Sequence, residues 1–116
     1  MKAIRISIRK NTRLARLLVT IARRLAGSDE IHTTVLGRTI YTLRHALPAE
    51  TLTHELIHLA QMAETGRLRW TWHYYVTERA VPYRQKTAEV EAYFYQHDRG
   101  YLARRYPRFR YLLEDK

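Results

Sequence analysis

The 116-residue sequence predicts a single α+β domain, in which one long helix packs on a small antiparallel sheet and against a later, glutamate-bearing helix. Three observations lead to this prediction. The first residues alternate between apolar and polar side chains, as a half-buried strand does. Apolar residues then recur at helical spacing, and a second helical stretch carries two histidines four residues apart. The length suits one domain with its own core and is too short for two.

The amino-acid composition limits which chemistry and which partners are possible. The chain has no cysteine, which excludes disulfides, thiolate zinc sites and cysteine nucleophiles, so any metal must be held by histidine and carboxylate. The net charge is +10, and residues 2–24 and 99–110 contain no acid. Such basic faces suit an anionic partner, namely nucleic acid, acidic protein or lipid headgroups, although an arginine-rich composition alone would also produce this charge.

No stretch reaches the length of a transmembrane segment. The basic start followed by an apolar run faintly resembles a signal peptide, but Arg23 and Arg24 interrupt that run too early. We therefore expect a cytoplasmic protein. The sequence does not indicate its oligomeric state.

The first two elements are a strand over residues 3–9 and a helix over about 12–26. Asn11 or Thr12 can cap the start of this helix, and Gly27 ends it. Five apolar residues form its stripe: Leu14, Leu17, Leu18, Ile21 and Leu25. We expect the stripe to face the core. The alternative is a basic amphipathic helix that binds a membrane surface or an acidic partner.

A β-hairpin is predicted over residues 31–43. Both halves are rich in β-branched residues, and Gly37 and Arg38 between them suit a two-residue turn with glycine first. An open edge of this hairpin could take an extended peptide as an added strand.

The next helix carries the main motif, H-E-x-x-H. It is predicted to open at Pro48 and to run to about Thr65, before Gly66. His54 and His58, four residues apart, share a helix face and can bind one metal ion, and Glu55 can reach a water bound to that metal. Gln61, three residues after His58, could orient a histidine ligand.

Residues 67–116 are predicted to be mostly helical. Residues 67–78 are ambiguous between helix and strand, and we favour helix. Pro82 breaks the chain, Thr87 is a plausible cap, and residues 88–96 read as a helix. After Gly100 we expect a short helix and a tail, separated by Pro107, with the tail docked on the body.

A catalytic zinc site needs a third protein ligand and an open position. The downstream candidates are His73, Glu78, Glu89, Glu91, His97 and Asp98. Glu89 and Glu91 are two apart on a helix and point to roughly opposite sides. One of them can face the metal, and the other should face solvent or a basic partner.

Together, the motifs resemble those of the gluzincin type of zinc metallopeptidase. The matching parts are H-E-x-x-H-x-x-Q at residues 54–61, an aromatic helix at 70–76, Y-R at 83–84 and E-V-E-A-Y at 89–93. The chain resembles small bacterial and phage proteins with these motifs over about residues 40–98. Tyr93 stands where many gluzincins have aspartate, and Thr87 stands where relatives often have proline.

The resemblance implies one zincin-like metallopeptidase domain over residues 1–116. Zn²⁺ would be held by His54, His58 and Glu89, with Glu55 as the general base in hydrolysis of a peptide or protein substrate. The resemblance also makes Gln61, His73 and Tyr93 candidates for orienting a ligand or stabilising the transition state. The residues eligible as oxyanion donors are His73, Tyr74, Tyr75, Tyr83 and Arg84. The alternative function is a catalytically silent, metallopeptidase-like binding module that engages a protein or nucleic acid through its basic surface.

Overall fold

The computed structural model describes residues 3–115, which form four strands and five α-helices. In chain order these are β1 (Ile4–Lys10), α1 (Arg13–Ala26), β2 (Thr33–Leu36), β3 (Thr39–Thr42), α2 (Ala49–Thr65), α3 (Arg67–Trp72), α4 (Thr87–Tyr95), α5 (Tyr101–Arg105) and β4 (Tyr111–Asp115). A π-helical turn (His73–Thr77) continues α3, and a 3₁₀ turn (Tyr83–Gln85) precedes α4. The predicted α+β class is confirmed.

The sheet is mixed, so the predicted antiparallel sheet was wrong. Its strand order is β2-β3-β1-β4. Only the β2–β3 hairpin is antiparallel, whereas β1 pairs in parallel with both β3 and β4. After α1 the chain enters β2, which runs opposite to β1, and the hairpin then reverses it, so that β3 lies parallel to β1. The hairpin turn has Gly37 at a φ of 62°, a conformation that glycine adopts without strain.

The helix α2 packs on one face of this sheet. Ile6 and Ile8 of β1 and Ile40 of β3 are buried against Leu56 and Leu59 of α2. The alternation in β1 is therefore confirmed, since Arg5 and Arg9, which flank the buried isoleucines, are exposed. This packing fixes the helix that carries both motif histidines.

The helix α1 turns a different face to the core from the one predicted. Its buried residues are Ala15, Val19, Ala22 and Ala26. The predicted core stripe instead lies outside, with Leu17 and Leu25 each 56% exposed and Ile21 43% exposed. Small side chains on the inner face allow the helix to sit close to Ile31 and Tyr74. The larger leucines do not fit this close contact.

We predict that the two faces of α1 respond differently to truncation. Val19→Ala removes fully buried methyl groups and should cost about 2 kcal/mol of unfolding free energy. Leu17→Ala, although it removes more atoms, should cost less than about 0.5 kcal/mol because Leu17 is half exposed. Urea denaturation of both variants checks this, and equal losses would contradict the observed orientation of α1.

Most of the other predicted elements are present. Thr12 caps α1, since its hydroxyl accepts a hydrogen bond from the Ala15 amide at 3.0 Å. The helix favoured over residues 67–78 is confirmed as α3 and its π-helical turn, and the C-terminal tail docks as strand β4. Thr87 is not the cap of α4, because it lies inside the first turn and its hydroxyl donates to Glu78. No helix within residues 3–115 is long and apolar enough to cross a membrane, and the cytoplasmic location stays a prediction.

Candidate metal centre

Two helices bring the candidate ligands together. His54 and His58 project from one face of α2, and Glu89 approaches them from α4. The two helices meet through Ala60 and Ala92, both buried in one cluster, and these small side chains permit a close approach. All three candidate ligands are buried.

A single carboxylate oxygen lies against both imidazoles. Glu89 Oε1 is 2.8 Å from His54 Nε2 and 3.0 Å from His58 Nε2. One ligand atom from each of the three residues lies within 4.8 Å of the others. Three nitrogen and oxygen donors at this spacing are the set that zinc binds in sites with an open fourth position.

The far nitrogen of each histidine contacts an amide oxygen. His54 Nδ1 is 2.9 Å from Gln96 Oε1, and His58 Nδ1 is 3.0 Å from Gln61 Oε1. The orientation of Gln61 is fixed independently, because its nitrogen donates to the Ala88 carbonyl and Trp70 Nε1 donates to its oxygen. An amide oxygen can only accept, so His58 must carry its proton on Nδ1. Nε2 is then left to bind a cation.

The electrostatics at this point favour a positive charge. In the neutral form, both Nε2 atoms would direct lone pairs at the same acceptor oxygen, which is repulsive unless a proton or a metal ion lies between them. Burial alone would lower the pKa of His58, but Glu89 outweighs it and raises that pKa to about 9. Burial alone would raise the pKa of Glu89, but His58 and His54 hold it far below its usual range. The donor set therefore fits zinc.

Tyr74 fixes the second oxygen of Glu89. Its hydroxyl donates to Glu89 Oε2, and burial together with the Glu89 charge raises the pKa of Tyr74, which keeps the donor protonated. The Tyr74 ring stacks on Trp70, with centroids 4.8 Å apart. Tyr74 lies in the π-helical turn, a kind of helix irregularity often found at functional sites.

Glu55 is buried beside the three ligands and is not one of them. Burial raises the pKa of Glu55, an effect that His58 and His54 partly offset. Its carboxylate makes no hydrogen bond to any residue within the described part of the chain. It is therefore available to a water molecule.

Two cavities meet at this position. The larger, about 460 Å³, is walled mainly by apolar residues of α1, β2 and α3 and reaches Glu55, His58 and Glu89. The smaller, about 270 Å³, is more polar, and His54, Arg44 and Arg84 line it. Glu55 and Tyr83 line both cavities. A substrate lying across both would pass over Glu55.

The other predicted site residues lie in different positions. Gln61 contacts His58, as predicted for a residue that orients a ligand. The Tyr93 ring packs edge-on against His54 at 4.5 Å, and its hydroxyl donates to Tyr83. His73 lines neither of the two cavities, and its side chain is 53% exposed, 3.5 Å from Glu78. Its position does not support a part in the transition state.

From the sequence, the glutamate turned away from the metal was expected to face solvent or a basic partner. Glu91 does neither. It accepts hydrogen bonds from Tyr101, Tyr106 and Gln61. Through Gln61, Glu91 is linked to His58 on the side opposite Glu89. The two glutamates of α4 thus both support the site, one as a candidate ligand and one through an amide.

Sequence reasoning missed Gln96 and Trp70 as site residues. Gln96 follows Glu89 by seven residues, which is two helical turns, and Tyr93 lies between them on the same face. This spacing could have indicated Gln96. Trp70 gave no comparable signal, because its indole reaches Gln61 from a separate helix.

Comparison with protein-family models, with curated proteins and with solved structures gave no match. The resemblance to gluzincins therefore stays a prediction. The chemistry of the site has to be inferred from its own residues.

We predict that Gln61→Leu weakens zinc binding by about 10- to 100-fold, because it removes the acceptor that holds His58 Nδ1. A zinc titration against a competing chelator measures this. Gln85→Leu, which removes an exposed amide, serves as the control. Equal zinc affinities in both variants would contradict the role of Gln61.

Proposed function

We propose that the chain is a zinc-dependent metallopeptidase that hydrolyses a peptide or protein substrate, with His54, His58 and Glu89 as the zinc ligands. One observation carries this proposal: three buried donors converge from two helices, while a fourth buried group, Glu55, remains beside them without a hydrogen-bond partner among the described residues. A purely structural zinc site would have no use for that carboxylate.

When bound, zinc would lower the pKa of a water molecule and polarise the scissile carbonyl. Glu55 then acts as the general base, taking the proton of the attacking water and passing it to the leaving amine. Burial raises the pKa of Glu55, and a stronger base takes the proton of the attacking water more readily. Gln96 and Gln61 keep His54 and His58 in the orientation that binds the metal.

The substrate would bind along β2. This strand lies at the edge of the sheet, and all four of its residues line the larger cavity. An extended peptide could add to this edge through main-chain hydrogen bonds, with alternate side chains entering the apolar cavity. We therefore expect a preference for apolar side chains next to the cleaved bond.

Tyr83 is the best-placed oxyanion donor. It lines both cavities with Glu55, whereas the Tyr74 hydroxyl is engaged with Glu89. Burial raises the pKa of Tyr83, which keeps its hydroxyl protonated and therefore able to donate. Tyr83→Phe should lower kcat by about 100-fold in peptide hydrolysis assays and leave zinc content unchanged. An unchanged kcat would remove Tyr83 from the mechanism.

The test of the proposed function combines metal analysis with a peptide screen. Purified protein is depleted with a chelator, reloaded with zinc and incubated with a mixed peptide library, and the products are read by mass spectrometry. We expect about one zinc per chain and cleavage in the wild type, and neither in His58→Ala. His73→Ala, which removes a histidine outside the centre, should retain both.

The outcomes separate the two functions considered. Cleavage that survives chelation or His58→Ala would overturn the proposed mechanism. Stoichiometric zinc without cleavage of any peptide would favour the catalytically silent binding module.

A further inference from the structure

The exposed face of α1 is apolar where it borders the larger cavity. Leu17 and Leu25 are each 56% exposed, and Ile21 is 43% exposed, while the residues that hold the helix to the core are small. Leaving such large side chains in water forgoes the stabilisation that burial would give. A row of them along one helix indicates a binding surface.

Two further elements extend this apolar surface around the same opening. Leu36, at the end of β2, is 58% exposed, and Leu68, in the first turn of α3, is 89% exposed. Both line the cavity that Ile21 and Leu25 line. Trp72, one helical turn after Leu68, is 65% exposed. We call these six residues the apolar rim: Leu17, Ile21, Leu25, Leu36, Leu68 and Trp72.

Each of the three segments that form the rim also carries exposed arginines. Residues 13–26, 33–38 and 67–72 contain no acidic residue. Their exposed arginines are Arg13, Arg16, Arg24, Arg38, Arg67 and Arg69. None of these six forms an ion pair with a carboxylate of the described residues, whereas Arg84, Arg104 and Arg105 elsewhere on the surface do. The rim is therefore apolar at its centre and positively charged at its border.

From this combination we infer that the apolar rim docks on a membrane surface rich in anionic lipid. A second copy of the chain fits poorly, because it would bring arginine borders of like charge together in a protein of net charge +10. Protruding leucines and a tryptophan can enter the boundary between headgroups and acyl chains, while arginines beside them bind the headgroup phosphates. Tryptophan is enriched at this depth in membrane proteins.

Docking in this way presents the mouth of the larger cavity to the lipid. It uses neither the candidate metal ligands nor Glu55, so the inference does not depend on the proposed hydrolysis. Loss of zinc should leave vesicle binding unchanged.

Vesicle sedimentation tests the inference on the full chain. We expect binding to phosphatidylcholine vesicles that contain about 30% phosphatidylglycerol, much weaker binding to phosphatidylcholine alone, and weakening by salt. Leu17→Gln and Leu25→Gln should each weaken binding about tenfold. Arg24→Gln and Arg67→Gln should each weaken it about fivefold. Circular dichroism would verify that each variant is folded.

Two control variants replace an apolar residue and an arginine by glutamine outside the rim. Phe94→Gln replaces an apolar side chain on α4 that is 75% exposed, and Arg108→Gln removes an exposed charge near the C terminus. Both should bind anionic vesicles as the wild type does.

Several results would overturn the inference. They are an absence of binding to anionic vesicles, equal losses in the control and rim variants, and binding to polyglutamate but not to vesicles. Light scattering could give a fourth such result. If the wild type is a dimer and Leu17→Gln is a monomer, the rim binds a second copy of the chain.

Discussion

Glu89→Gln should abolish stoichiometric zinc binding, with about one zinc per chain in the wild type and less than about a tenth in the variant. Glu89 is the only one of the three candidate ligands that supplies negative charge, and its Oε1 lies within 3.0 Å of both histidines. A neutral amide in its place keeps the shape of the side chain and loses the charge that attracts the cation. Elemental analysis after dialysis against trace zinc measures the result.

Glu91→Gln is the matched control for this experiment. It makes the same chemical change two residues away on the same helix, but Glu91 accepts from Tyr101, Tyr106 and Gln61 and contacts neither histidine. Zinc should remain at about one per chain in this variant, with a modest loss of affinity transmitted through Gln61. If zinc is lost from Glu91→Gln and kept in Glu89→Gln, the third ligand is assigned wrongly.

The same pair of variants gives a readout that needs no catalytic activity. A ligand that binds only the folded state stabilises it, by about 4 kcal/mol when its free concentration is a thousand times its Kd. Zinc should therefore raise the midpoint of thermal unfolding of the wild type and of Glu91→Gln. It should leave that of Glu89→Gln unchanged.

The candidate metal centre was largely predictable because its signals are local. His54 and His58 share a face through helical spacing alone, and α2 starts and ends where Pro48 and Gly66 indicate. Local signals alone did not identify Glu89 as the third ligand, because helical periodicity allowed either glutamate of α4 to face the metal. Only the resemblance of the surrounding motif selected it, and the structure places it against both histidines.

The parts that could not be predicted depend on contacts between distant segments. A strand with period-2 alternation can pair in either direction, so β1 gave no sign that its two neighbours are parallel. On α1 two apolar stripes coexist, and hydrophobicity favoured the leucines over Ala15, Val19 and Ala22. The close approach of α1 to Ile31 and Tyr74 decided between them, and that approach is set by residues far along the chain.

Glu55→Gln should lower kcat for peptide hydrolysis by about 1,000-fold or more, with KM and zinc content little changed. The variant keeps all three candidate ligands and the shape of the cavity wall, and it removes only the group that accepts the proton of the attacking water. Steady-state kinetics on a peptide identified by the library screen, with zinc measured on the same samples, would separate loss of chemistry from loss of metal.

Folding cannot account for such a loss, because the substitution should not destabilise the protein. Glu55 makes no hydrogen bond with the described residues, and burial raises its pKa, so holding its carboxylate ionised in the folded protein costs free energy that a neutral amide does not. The unfolding midpoint of Glu55→Gln should therefore equal or exceed that of the wild type, as expected where a residue is kept for activity at the expense of stability. Glu64→Gln, on the exposed end of the same helix, should retain full activity. Full activity in Glu55→Gln would instead show that the water is activated without this carboxylate. The mechanism proposed for this site would then be wrong.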